Sequence, residues 1–364
     1  MRVLFIEPFH GGSHAAFADG LQQHSAHEVV LLTLPEGEWR RRMRRGAQEL
    51  AATSRGLSGG FDLVIATDML DVPAFLALTR PRFDGVPVLY YLHENQFTYP
   101  RMRGTKLNSW FGQINYMSAL AADQVAFNSE YHRRDFLAAL GTLAGLPNNW
   151  LVDEAIEVIA AKSTVLPVGV DLAGLDGYRV ERTPGAAPLI LWNHRWEFDK
   201  APEMFARVID RLADEGLAFR LAIVGEAGFN PSPALPQLAN RLADRIEHFG
   251  FVPTRAAYAE LLWRSDIVVS TTRHEFFGVG MVEALHCGCV PCAPADFTYP
   301  ELVPASLHDA CLFEDEPGFE SRLRALLSER PDAATLRASV ARFDWSCVAP
   351  QWDLAIERAA RIGR

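Results

Sequence analysis

Short apolar, β-branched runs recur along this chain, and between them apolar and polar residues alternate with helical spacing. Residues 3–6, 29–32, 63–66, 86–92 and 125–127 read as buried parallel strands, with helices at 108–121 and 130–140. A second series opens at 189–192 and continues at 221–224, 267–270 and 290–293. Its helices fall near 203–215, 256–263 and 279–287. Two successive series of this kind predict an α/β protein with two doubly wound, Rossmann-like parallel sheets. Between the series, residues 166–188 supply proline and glycine with little periodicity. A last helical pattern, 346–362, follows Trp345 and needs a surface to pack on. The expected organisation is a first domain over 1–170, a second over 171–345, and a closing helix over 346–364.

The 364 residues carry a formal net charge of −10, which taken alone argues against a nucleic-acid partner. Its distribution changes that picture. Residues 1–168 hold 15 basic and 17 acidic side chains, and the remainder holds 20 and 28. The nearly neutral first half contains WRRRMRR, with Arg40, Arg41, Arg42, Arg44 and Arg45 in one short stretch. Three readings stay open for it: a solvated helix face, contact with a phosphate backbone, or contact with a membrane surface. Arg101 and Arg103 would extend a basic surface. No run approaches the roughly 18 to 20 continuous apolar residues of a membrane span. The start, MRVLFIEPF, meets Glu7 and Pro8 too early for a signal peptide. The five cysteines are odd in number and lie in the second half, so a cytoplasmic location is expected rather than a disulfide framework.

Candidate chemistry concentrates in loops that follow strands. In HEFFGVGMVEAL, Glu275 and Glu283 are separated by seven residues, with Phe276, Gly278 and Val279 between them. Glycines at a helix start let backbone amides approach a diphosphate. A carboxylate along the helix suits a vicinal diol such as a ribose, and one before it suits a hexose hydroxyl. The bland alternative is a solvated Glu and a helical Glu in an ordinary strand–loop–helix. NHRWEFDK, after LILW, places Asn193, Arg195 and Lys200 in one loop, where an Arg fork and a Lys charge suit a departing nucleotide diphosphate. Only three lysines occur in the chain, Lys106, Lys162 and Lys200. Gly225 and Glu226 end the next strand and would line the same crevice.

In the first half, Gly11 and Gly12 follow the first strand without the Gly-x-Gly-x-x-Gly order of a dinucleotide fingerprint. YLHENQFTYP clusters His93, Glu94, Asn95 and Gln96 after a strand, which suits a polyol or a base; a structural His93 is the alternative. The segment HCGCVPC spans a helix end and a strand start, so buried cysteines explain it better than a metal. No Asp-x-Asp triplet occurs, and metal-independent chemistry is expected.

Together these elements resemble a retaining glycosyltransferase of the GT-B fold, in the family 4 style. The strings LFIEPFHGGSH, ATDMLDVPAFLALTR, YLHENQFTYP, INYMSALAADQVAFNS and LWNHRWEFDK resemble more closely the tRNA-queuosine mannosyltransferase family, nearly end to end. That resemblance implies two Rossmann-like domains facing a central cleft, with the last helix crossing back to the first domain. It implies transfer of mannose from GDP-mannose to a cyclopentene hydroxyl of queuosine in the anticodon of an aspartate tRNA. By the same resemblance, Arg195 and Lys200 hold the diphosphate, Glu283 the ribose, and Glu275 and His93 the mannose. The arginine cluster, Glu94, Asn95 and Gln96 then fall on the tRNA side. No membrane or protein partner is implied. The alternatives are a GT-B transferase acting on a lipid, glycan or small metabolite, and a sugar-nucleotide epimerase. WRRRMRR carries extra arginines beside the family's string, and AGLPNNWLVDEAIE departs from it at a connection.

Overall fold

Apolar runs without a polar face need cover on both sides, which a parallel sheet wrapped by helices provides. The structure, a computed structural model, describes residues 1–100, 109–146, 149–152, 154–228 and 232–362. Among these, one unit takes Met1–Tyr99, the chain from 109 to Gly169, and the segment from Trp345 on; the other takes Val170–Asp344.

In the first unit the strands are β1 (Arg2–His10), β2 (Glu28–Pro35), β3 (Leu63–Thr67), β4 (Val88–Leu92), β5 (Gln124–Phe127) and β6 (Ser163–Val165). They form an all-parallel sheet in the order β2-β1-β3-β4-β5-β6. Every residue of β3 and β4 is buried. The strand expected at 86–92 starts at Val88, since Pro87 has no N–H to donate; its carbonyl still accepts from Val64 N at 2.9 Å. β6 carries no apolar run, and only its pairing with β5 makes it a strand. The helices are α1 (Gly12–His24), α2 (Trp39–Ser54), α3 (Val72–Leu78), α4 (Ser109–Ala121), α5 (Glu130–Ala144) and α6 (Ala155–Ala161).

The second unit repeats the plan. Its strands are β7 (Leu189–Asn193), β8 (Arg220–Val224), β9 (Ile246–Gly250), β10 (Ile267–Val269), β11 (Val290–Pro294) and β12 (Leu312–Phe313), ordered β12-β11-β10-β7-β8-β9. Around them lie α7 (Leu172–Asp176), α8 (Pro202–Asp214), α9 (Ala234–Arg241), α10 (Arg255–Arg264) and α11 (Val279–His286). After these come α12 (Tyr299–Leu302), α13 (His308–Cys311), α14 (Glu316–Ser328) and α15 (Ala333–Val340). Val170 N donates to Phe343 O at 2.8 Å, so the unit's two chain ends meet. Cys287, Cys289, Cys292 and Cys311 are buried as small core side chains, and Cys347 is exposed.

The final helix, α16 (Trp345–Ile362), belongs to the first unit. Trp345 stacks on His24 at 5.4 Å and on Phe17 at 5.8 Å. A Cβ at Gly20 or Gly169 would come within 2.3 or 2.4 Å of its indole, so both positions require glycine. Trp352 is fully buried against Tyr91, and its Nε1 donates to Pro167 O at 3.0 Å. Trp352→Phe, which removes that donor and part of the ring, is expected to cost about 1–2 kcal/mol in denaturant unfolding. No helix among the described residues is long and apolar enough to cross a membrane.

Candidate active site

In a doubly wound sheet, neighbouring strands whose crossovers run in opposite directions leave a crevice at their C-terminal ends. The strand orders place this switch between β1 and β3 in the first unit and between β7 and β10 in the second. The candidate residues gather at both places.

At the β7/β10 switch, two loops are stitched together. Thr271 Oγ1 donates to Lys200 O at 2.8 Å, and Arg273 N donates to Asp199 O at 2.7 Å. The stitching aims Lys200 Nζ at His274 O (3.3 Å), Glu275 Oε2 (3.4 Å) and Asp199 Oδ2 (3.3 Å). Burial alone would lower the Lys200 ammonium, but Glu275 and Asp199 outweigh it and raise it above its ordinary value. Burial likewise pushes the Glu275 carboxyl up, while Lys200, ahead of His194, holds it below its usual range. His194 and His274 are driven down to about 4, first by burial, so both rings are neutral near pH 7. The result is a largely buried cluster around the fixed Lys200 cation, which suits an anionic leaving group.

The other predicted donor residues divide. Gly278, at φ 83°, caps the start of α11 in the left-handed region that glycine tolerates. Phe276 is buried, with its ring 4.2 Å from that of His274. Val279 is half-buried at the helix start. Glu283 is buried and paired with Arg255, whose Nη1 lies 2.6 Å from its Oε1. Asn193 Nδ2 donates to Tyr258 Oη at 3.0 Å and to Gly280 O at 3.1 Å. Gly225 permits a close backbone approach, since a Cβ there would lie 1.9 Å from His194 O. Glu226, exposed, accepts at its backbone carbonyl from Trp196 N at 3.0 Å. Arg195 stands apart from the buried cluster; its side chain is 64% exposed and meets Glu197 at 3.3 Å.

The β1/β3 switch collects groups that spacing did not single out. Glu7, fully buried, accepts from Phe9 N through Oε1 (2.8 Å) and meets His14 Nδ1 through Oε2 (3.2 Å). The His14 and His93 rings lie 4.3 Å apart between centroids. Asp68 Oδ1 accepts from His93 N at 3.0 Å, and its backbone carbonyl accepts from Asn115 and Tyr90. Burial works against a charged His14, yet Glu7 raises it to about 9. The same burial, helped by Glu94, pushes the Asp68 carboxyl up to about 8. His93 is held well below its ordinary value by burial and then by His14. Ligand atoms of Glu7, His14 and His93 lie within 4.8 Å of one another, a spacing that would admit a metal ion. In this structure Glu7 and His14 satisfy each other as an ion pair.

Of the remaining predicted residues, Gly11 caps α1 and Gly12, at φ 53°, opens it. Asn95 is fully buried, and its oxygen accepts from Phe97 N and Thr98 N, so it shapes its loop rather than a ligand surface. Gln96 Nε2 donates to Glu94 at 2.9 Å. Arg40, Arg41, Arg44 and Arg45 are exposed on α2. Arg42 is turned inward to Pro35 O (2.6 Å) and Glu49 (3.4 Å). Arg101 and Arg103 lie outside the described residues. Arg255, Tyr258, Asp199, Glu7, His14 and Asp68 escaped the sequence reading. A carboxylate ending an otherwise apolar strand, as in VLFIE and LVIATD, was the available signal for Glu7 and Asp68.

Comparison with known proteins adds to this geometry. The family model described as tRNA-queuosine alpha-mannosyltransferase N-terminal matches residues 2–170, and that of glycosyl transferases group 1 matches residues 187–329. A Drosophila melanogaster tRNA-queuosine alpha-mannosyltransferase is 31% identical over 310 residues, covering 83% of this chain and 81% of its own. A GDP-mannose-dependent alpha-(1-6)-phosphatidylinositol dimannoside mannosyltransferase of Mycobacterium tuberculosis is 24% identical, covering 95% and 93%. Among solved structures, sucrose-phosphate synthase from Thermosynechococcus elongatus shares the fold over 100% of both chains, with a TM-score of 0.76 at 14% identity.

Proposed function

The chain belongs to the tRNA-queuosine alpha-mannosyltransferase family, and from that premise we propose that it transfers mannose from GDP-mannose to a cyclopentene hydroxyl of queuosine in an aspartate tRNA. The observation that carries the reading is the 31% identity to the fly enzyme over 310 residues, which draws on both units. GDP-mannose as donor is supported by the mycobacterial relative's dependence on it. A cytoplasmic place follows from a tRNA substrate.

In this reading the 170–344 unit holds the nucleotide sugar. Lys200 meets the diphosphate and stabilises the charge that develops as the bond from sugar to phosphate oxygen breaks. Glu275, held by Lys200, faces mannose, and Glu283 with Arg255 supports the ribose. Arg195, whose side chain is 64% exposed, reaches the outer phosphate as a guanidinium fork. The acceptor hydroxyl attacks the face from which phosphate departs, and the departing oxygen takes its proton, so configuration is retained. No metal ion is assigned a step.

The test incubates the protein with queuosine-bearing tRNA and a panel of sugar nucleotides, followed by mass spectrometry of the digested nucleosides. A hexose on queuosine with GDP-mannose is expected. A hexose from a different donor overturns the donor assignment, and no adduct with any donor overturns the reading. An altered sugar nucleotide without acceptor would instead mark an epimerase.

A further inference from the structure

The first two turns of α2 hold five arginines and no acid, and its cap is Glu38, which accepts from Arg41 N. A helix N-terminus already carries partial positive charge, so cations gathered there oppose the macrodipole. Arg42 is relieved by Pro35 O and Glu49, and Arg41 Nη2 reaches Glu49 at 3.9 Å. Arg40, Arg44 and Arg45 are exposed and have no carboxylate partner among the described residues. A face arranged this way is disfavoured until an anion covers it.

Its aromatic neighbours specify the kind of anion. The Arg40 guanidinium lies 4.4 Å over the Trp39 ring. That of Arg44 lies 5.4 Å over Phe111 and 5.9 Å over Trp110. Trp110 keeps 43% of its surface exposed. Alternating guanidinium and indole planes match a single strand, whose phosphates need cations and whose unstacked bases need π-faces. A duplex has no use for the indole. A membrane is equally ill-suited, because Met43, Ala47, Leu50 and Ala51 of α2 are turned into the core, which leaves only Trp39 and Ala52 of its apolar side chains at the surface.

Position completes the case. Trp39 and Phe111 pack 5.1 Å apart, in one cluster with Phe9, Met43 and Met69. Phe9 touches the His14 ring at 5.7 Å, and Met69 follows Asp68. The platform therefore shares the sheet end of the first unit with the Glu7–His14–His93 group.

We infer that the exposed face of α2 and Trp110 form a stacking platform for unpaired bases flanking the modified nucleotide, with Arg40, Arg44 and Arg45 on phosphates and Trp110 under a base. This rests on the reading of a tRNA substrate and adds how the loop is gripped.

The test measures binding of a queuosine-bearing anticodon stem–loop, and of a plain RNA duplex, over a series of salt concentrations. Trp110→Ala is expected to weaken stem–loop binding about 10-fold or more, with the salt slope unchanged and duplex binding unaffected. Trp110→Phe should restore most of the loss. The Arg44→Ala/Arg45→Ala double variant should reduce the salt slope by about two phosphates' worth. GDP binding and the melting curve, unchanged in each variant, certify the fold. Wild-type affinity for the stem–loop in Trp110→Ala, or an equal loss on the duplex, overturns the platform while leaving mannosyl transfer to tRNA intact. A wild-type protein that neither binds the stem–loop nor modifies the tRNA overturns the underlying reading itself.

Discussion

Replacing Lys200 by alanine is expected to slow mannosyl transfer about 100- to 1,000-fold at saturating tRNA, the scale seen when one preorganised charge donor is removed from a site. The side chain is 12% exposed and converges on Asp199, Glu275 and the His274 carbonyl. Its charge is therefore held in place before the donor arrives and needs no reorganisation as phosphate leaves. Deleting it also leaves two carboxylates facing the diphosphate, so GDP affinity should fall as well. Affinity for tRNA should stay within a factor of about two, since the residues proposed to meet the tRNA belong to the other unit and none is among the partners of Lys200. Initial rates under single-turnover conditions, with tRNA binding measured in parallel, check this. Equal losses in transfer and tRNA binding would refute the division of labour.

The second large effect concerns stability and pH. Glu7→Gln keeps the shape and the Phe9 N bond but removes the charge that holds His14 protonated. Breaking a buried pair from one side costs about 3 kcal/mol, so the variant should unfold at distinctly lower denaturant near pH 7. The sign follows from linkage. Because Glu7 lifts the folded His14 to about 9 from an ordinary 6.5, the pair's contribution is complete below pH 6.5 and disappears as pH rises through about 9. The gap between wild type and Glu7→Gln should accordingly be widest at pH 6–7 and narrow by pH 10. Asp68, Glu94 and His93 face the same ring in both proteins, so the difference between the two isolates the Glu7 charge. A gap that stays constant from pH 6 to 10 would show that Glu7 acts through packing alone.

How far the site was readable depended on whether a residue works through its neighbours in sequence or in space. Gly278 and Lys200 stand out locally, one by its place before a helix, the other by the rarity of lysine in this chain. Asp199 looked like any loop acid, yet it is 1% exposed and holds Lys200. Arg255 is 28 residues from Glu283 in sequence and bonds to it across two helices. Nothing in the spacing of Arg195 and Lys200 indicated that one would be buried among acids and the other left in solvent. The negative net charge was similarly a poor guide, because a helix end concentrates the arginines that the sum conceals.

Periodicity by itself determined the two βα series, the break between them and the closing helix, because apolar runs of strand length have few ways to escape water. The edge strands, β6 too polar and β12 only two residues long, carry no strand pattern of their own and formed because a neighbouring strand offered hydrogen bonds. Tertiary structure alone decided which charges became chemistry. It brought His14 and Asp68 to one switch point and Lys200 and Glu275 to the other, where burial and pairing moved their proton affinities. Proton affinity is set by charges and solvent within a few ångströms, and those neighbours come from loops tens of residues apart in the chain.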